Sequence, residues 1–159
     1  MDRYRQFLRH YATRSALKDE ETGLPKRYVA GLTASQKKEQ VRAIEKSKQI
    51  YEKTGKVETR PKVSDEHKRS AHVIKFEKIY GFPITDLAKV KKEFPNTDID
   101  TILRKGRAAY ASSGSRPNQS PESWSYARLS GTLTGSKALA VDKDLVGDKD
   151  LKKILSQSK

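Results

Sequence analysis

Cysteine is absent from this 159-residue chain. It can therefore hold no disulfide and no thiolate metal site, and an oxidising compartment is neither required nor excluded. Long apolar runs are missing too. The longest, Ala138-Leu139-Ala140-Val141, is far short of the roughly 20 residues that cross a bilayer as a helix. The opening MDRYRQFLRHYATRS lacks the apolar core of a signal peptide, so a soluble protein that stays where it is made, or is built into something there, is expected. Apolar residues make up only 34% of the chain, against roughly 45–50% in ordinary soluble domains. The length fits one domain, or a smaller domain with arms, around a modest core. Part of the chain is expected as solvated helix or as extended segment ordered by a partner.

Acidic residues are the scarcer charge, 20 against 34 Lys and Arg, for a net +14. Such a surface attracts polyanions: nucleic acid, acidic protein faces or anionic lipid. Lipid fits least, because no segment joins a strong basic face to a large apolar one. Catalytic templates are missing as well. GTLTGSK (131–137) has its glycines one residue too close for a phosphate-binding loop and places Ser before Lys. His67 and His72 are five apart, off a shared helical face, with no third ligand nearby. The serines of 112–125 have no neighbouring histidine. Asp142 and Asp144 sit in a charged stretch and read as solvated. No catalytic, metal or cofactor-binding residue is assigned, and the chain reads as non-enzymatic.

What is present is mostly short helix, so a mainly α fold is expected: a small domain of about five to six short helices, an N-terminal helical arm and extended linkers. Tyr4, Phe7, Leu8 and Tyr11 fall at i, i+3, i+4 and i+7 in residues 2–17, an amphipathic stripe that suits either an arm docking on a partner or a helix on its own domain. Residues 18–31 read as a linker broken by Gly23 and Pro25. Thr33 and Gln36 fit a capping box before a second helix carrying Val41, Ile44 and Tyr51, with Gly55 at its end. An extended crossing over 56–70, broken by Pro61, leads to a helix with Val73, Phe76, Ile79 and Tyr80, stopped by Gly81 and Pro83.

Thr85 and Thr97 are then expected to cap two shorter helices, bearing Leu87, Val90 and Phe94, and Ile99, Ile102, Leu103 and Tyr110. Together they form a helix-turn-helix-like hairpin. Its second helix starts with Asp98 and Asp100 and has Arg104, Lys105 and Arg107 toward its other end, the reverse of a recognition helix, so an ordinary helical hairpin fits better.

The least generic stretch is SSGSRPNQSPESWSYARLSGTLTG, 112–135. It bends at Gly114, stiffens at Pro117, then starts a helix with Ser120 as cap and Pro121 in the first turn. Arg116, Asn118 and Gln119 before that helix, and Arg128 on it, offer the convergent donors that hold phosphate or carboxylate. The alternative is a loop whose polar groups satisfy one another while Trp124 and Tyr126 fill the core.

RYVAGLTASQKKEQVRAIEKSKQIYEKTGKVETRPKV and the later RKGRAAYASSGSRPNQSPESWSYARLSGTLTGSKALAVD, in their order and spacing, resemble a family of small basic proteins of large DNA viruses of algae and amoebae and of some tailed phages. The likeness spans roughly residues 27–145 and is most specific in SSGSRPNQ, SWxYARL and TGxKA. YVAGLTASQKKEQ departs from the family's YVPxxLSKKDKKKQ, losing the Pro and thinning the Lys run. The resemblance implies a viral setting and no established activity. It divides the chain into an N-terminal arm and linker (1–26), a basic helical domain (27–145) and a charged tail (146–159).

Two roles are expected in a virion, with host cytoplasm or nucleus during infection. One is a minor capsid or internal component binding capsid subunits through the arm residues Tyr4, Phe7, Leu8 and Tyr11 and through basic helices. This is the leading expectation, given the thin apolar stripes. The alternative is sequence-indifferent binding of double-stranded DNA to coat or compact a genome, using the lysines of 37–53 and 68–92 with Arg104, Lys105 and Arg107. Arg116, Asn118, Gln119 and Arg128 complete the candidate partner or phosphate contacts.

Overall fold

The computed structural model describes residues 2–12, 17–66 and 69–157, without the side chains of 2 and 9–12; the Tyr11 side chain and His67 of the sequence reading thus lie outside it. The fold is mainly α. Its helices are α1 (Asp2–Ala12), α2 (Ala34–Thr54), α3 (Ala71–Tyr80), α4 (Leu87–Glu93), α5 (Ile99–Ser112), α6 (Pro121–Leu133), α7 (Lys137–Asp142) and α8 (Asp148–Gln157). Among the described residues there are two isolated β-bridges and no strand. The chain forms two compact units. The first comprises 1–14, 69–105 and 125–159, the second 15–68 and 106–124.

The first unit has the apolar core. Phe76, Val90, Phe94, Ile102, Leu129, Leu133, Leu139 and Ile154 are all fully buried in it, each contributing about 1.5–3 kcal/mol of transfer free energy. Aromatic rings give it shape. The ring of Phe76 lies 4.8 Å from that of Tyr80 and 5.4 Å, edge-on, from that of Phe82, and Tyr80 meets Phe94 edge-on at 5.1 Å, separations favoured by ring quadrupoles.

The N-terminal stripe and the C-terminal stretch both pack here. The N-terminal stripe packs on its own unit as far as its side chains are described: Phe7 is buried in this core, Tyr4 stacks on it at 5.7 Å, and Leu8 stays exposed. An aromatic face finds its apolar cover within the chain, so Tyr4 and Phe7 are not free docking residues. The expected charged tail is helix α8, with Leu151 and Ile154 buried. Asp150, on its first turn, accepts the Asn96 N–H at 2.9 Å and the Thr97 hydroxyl at 2.7 Å. Gly147 gives its N–H to the Asn96 carbonyl at 2.7 Å, an approach so close that a Cβ would sit 2.6 Å from Asn96 atoms. The turn of the α4–α5 hairpin is thus covered by the chain's own C-terminal segment. Thr97 is spent on Asp150, and Asp98 caps α5 instead, accepting the Thr101 N–H. Asp86, not Thr85, caps α4.

The second unit is built differently. Its capping box is formed as expected, with Thr33 and Gln36 satisfying each other's backbone N–H groups and left-handed Gly55 closing α2. Tyr28, Val29, Ile44, Tyr110 and Ala111 are buried, but so are Gln40, Ser47, Arg60 and Ser115. A polar interior of this kind stands only if every group is paired.

Candidate polyanion-binding face

Arg60 anchors the polar interior of the second unit. Its guanidinium donates to Ser47 Oγ at 2.9 Å, to the Tyr110 carbonyl at 2.7 Å and to Ser115 Oγ at 2.6 Å. All three acceptors are neutral, and burial holds the guanidinium below its ordinary pKa. Gln40 adds a second tie, donating from Nε2 to the Tyr28 carbonyl at 3.1 Å and to the Ser115 carbonyl at 3.3 Å.

The distinctive loop is the other half of this arrangement. Asn118 takes φ +64°, a left-handed conformation that Asn tolerates. Its side-chain oxygen accepts the N–H groups of Val63 and Ser64, while its amide donates to Ser64 Oγ at 2.7 Å and the Glu66 carbonyl at 2.6 Å. Gln119 accepts the Tyr110 hydroxyl on its carbonyl and the Ser123 hydroxyl on its side chain. SSGSRPNQ therefore fastens the extended 60–66 crossing onto the unit, with Asn118 and Gln119 as struts.

Two further candidates are consumed internally. Arg128 grips Asp142 with two bonds, Nε to Oδ2 at 3.0 Å and Nη2 to Oδ1 at 2.6 Å, and Thr132 adds a third at 3.0 Å. Asp142, expected in solvent, has no exposed surface; a buried carboxylate needs such a fork. Asp144 is exposed. Arg107 pairs with Glu122, and that hydrogen bond holds the Glu122 carboxyl below its usual range. GTLTGSK is a buried helix end: Ser136 caps α7, and a Cβ on Gly131 would lie 2.6 Å from Ser136 Oγ. Of the remaining arginine and lysine candidates around the hairpin and the loop, Arg104, Lys105 and Arg116 are exposed, and Arg104 makes only a long contact, 3.4 Å, to Thr101 Oγ1.

A larger basic feature lies on α2. Gln40, Ile44 and Ser47 face inward. The opposite side presents Lys38, Arg42, Lys46, Gln49 and Lys53, at i, i+4, i+8, i+11 and i+15, all exposed. At 1.5 Å per residue the row runs about 22 Å. Among the described residues none of its four cations is in an ion pair, whereas Lys37, off the row, is tied to Asp19 at 2.9 Å. Glu39, Glu45 and Glu52 flank the row, so the positive strip is narrow. The sequence offered the lysines of 37–53 as duplex contacts without placing them on one line; their 3.6-residue spacing is the signal that does so.

Among the described residues no helix is long and apolar enough to cross a membrane, and no group of three His, Asp or Glu side chains is placed to hold a metal ion. Fold and surface define a small, basic, mainly helical protein. Residues 25–152 match a family of unknown function, DUF5824, and the chain belongs to it. The match takes in α2 to α7 and part of α8, leaving α1 outside. No curated protein and no solved structure matches the chain.

Proposed function

We propose that this chain is a non-enzymatic component of a viral particle that binds double-stranded DNA without regard to sequence, through the exposed row of α2. The observation that carries this reading is the row itself: four cations in line on one helix face, none committed to an ion pair among the described residues. Regularly spaced cations on a stiff rod suit regularly spaced phosphates, and counterion release supplies the affinity. The row holds no aromatic residue, the element on which single-stranded bases stack. The viral setting, and with it the virion and the infected cell as location, rests on the likeness of the SSGSRPNQ and SWxYARL stretches to viral proteins. Docking on capsid subunits through the N-terminal helix is the weaker role, because Phe7 is engaged in the chain's own core.

The test is duplex binding against salt concentration, with a variant carrying Gln at Lys38, Arg42, Lys46 and Lys53. The wild-type protein should bind at low salt and release as salt rises. The variant should lose about 3–4 from the log–log slope, one unit of about 0.9 per phosphate contact. Equal slopes for the two proteins would overturn the reading.

A further inference from the structure

A second basic feature of the same unit lies apart from the α2 row. Arg27 and Arg116, both exposed, are far apart in sequence, yet the Tyr28 ring and Gln40 bring them together. The guanidinium carbon of Arg27 lies 4.9 Å from the centre of the Tyr28 ring. The turn at Gly114 presses on that same ring: a Cβ there would sit 3.1 Å from Tyr28 Cε2 and 3.2 Å from Ile44 Cδ1. Gln40 ties the carbonyls of Tyr28 and Ser115, the residues that follow Arg27 and precede Arg116. Arg60 fixes Ser115 from behind through its hydroxyl.

The backbone segments that carry the two arginines are thus tied to each other by buried bonds, and neither guanidinium has an ion pair or hydrogen bond among the described residues. Holding like charges together costs energy that a shared anion relieves. The position of Arg27 over the Tyr28 ring leaves its in-plane N–H donors free, and two guanidinium forks match the oxygens of one phosphate.

We propose that Arg27 and Arg116 form a phosphate clamp, which, on the nucleic-acid reading above, grips a backbone phosphate outside the α2 row. The electrostatics agree. Arg116 is held below the ordinary guanidinium value by partial burial first, and then by the charge of Arg27. Tyr28 also meets Trp124 edge-on at 6.0 Å, and Trp124 is the only tryptophan in the chain, so its fluorescence reports on the site.

Inorganic pyrophosphate, titrated at constant ionic strength, should change Trp124 emission saturably. Arg27→Gln and Arg116→Gln should each weaken that binding about tenfold or more, as expected for loss of one charged fork, while the α2 variant retains it. On duplex DNA the two Arg variants together should lower the salt slope by about 1–2. A titration without saturation, or one unchanged in the double variant, would overturn the clamp. Saturable pyrophosphate binding with an unchanged duplex slope in the double variant would overturn nucleic acid as the source of the phosphate and point to a phosphorylated protein. A wild-type protein that takes pyrophosphate but no duplex would overturn that source together with the role of α2. Loss of duplex binding in the α2 variant alone, with the clamp variants unaffected, would separate failure of the inference from failure of the function.

Discussion

The guanidinium carbon of Arg60 stands 3.7 Å from the centre of the Tyr110 ring, and the two residues are joined twice more. Arg60 donates its backbone N–H to the Tyr110 hydroxyl at 2.8 Å and its Nη1 to the Tyr110 carbonyl at 2.7 Å, and the same hydroxyl passes its proton to the Gln119 carbonyl at 3.0 Å. One residue of the extended crossing is thereby fixed to α5 and to the start of the distinctive loop. A cation stacked on a ring and forked to neutral acceptors keeps its charge without a buried carboxylate.

Arg60→Lys should therefore be costly despite conserving charge. Lysine does not stack flat, and its single nitrogen cannot stand where both Nη atoms do, so Ser47, Ser115 and Tyr110 cannot all keep a donor. The expected loss is about 2–4 kcal/mol, read as a lowered urea midpoint at unchanged slope. A midpoint equal to that of the wild type would show that the crossing is held by other contacts.

The same pair shows where the sequence was legible and where it was not. Local rules were written plainly: Thr33 with Gln36, Ser70, Ser120 and the glycines at 55 and 81 begin or end helices where their chemistry says they should. Partners distant in sequence were not. Nothing near Thr97 announces that its hydroxyl will be taken by Asp150, and nothing near Arg128 announces Asp142. Both acids stand among lysines, so composition suggested solvent. A finer reading would have found α8, because Leu151, Ile154 and Leu155 fall at i, i+3 and i+4. The unusual loop drew attention as a ligand site because its donors converge; those of Asn118 and Arg128 turn onto the chain itself, while Arg116 stays exposed.

Tyr80 gives a pH handle. Burial first, then the charges of Glu93 and Asp150, push its hydroxyl up to about 12 from the usual 10, and it donates to the Leu133 carbonyl at 3.0 Å. A folded-state value above the unfolded one means the contribution is complete below pH 10 and is lost as pH rises through 12. Melting temperature measured across this window should fall, and Tyr80→Phe should fall less steeply. For a part-buried ring the difference is about 1 kcal/mol, below the full value of a two-unit shift. Parallel curves would assign the alkaline loss to other tyrosines and the lysines.

Ser130 is the converse case. Its hydroxyl is fully buried and has no hydrogen-bond partner among the described residues. An unmet buried hydroxyl costs about 1–3 kcal/mol, so Ser130→Ala should leave stability unchanged or raise it by about 0.5–1 kcal/mol. A clear loss would mean that the hydroxyl meets a water or a bound partner in solution.

The N-terminal helix decides between a self-packed element and a docking arm. Phe7 is 8% exposed and sits in the core, while its neighbour Leu8 is 38% exposed. Phe7→Ala should cost about 2–4 kcal/mol, somewhat below a deep core phenylalanine because the site is at the edge of the cluster. Leu8→Ala should stay within about 0.5 kcal/mol, as an exposed substitution does. Both are read by thermal melting of the isolated protein, which needs no partner. If Phe7→Ala melts with the wild type and instead reduces incorporation into particles, the helix docks outward and its place in the core is wrong.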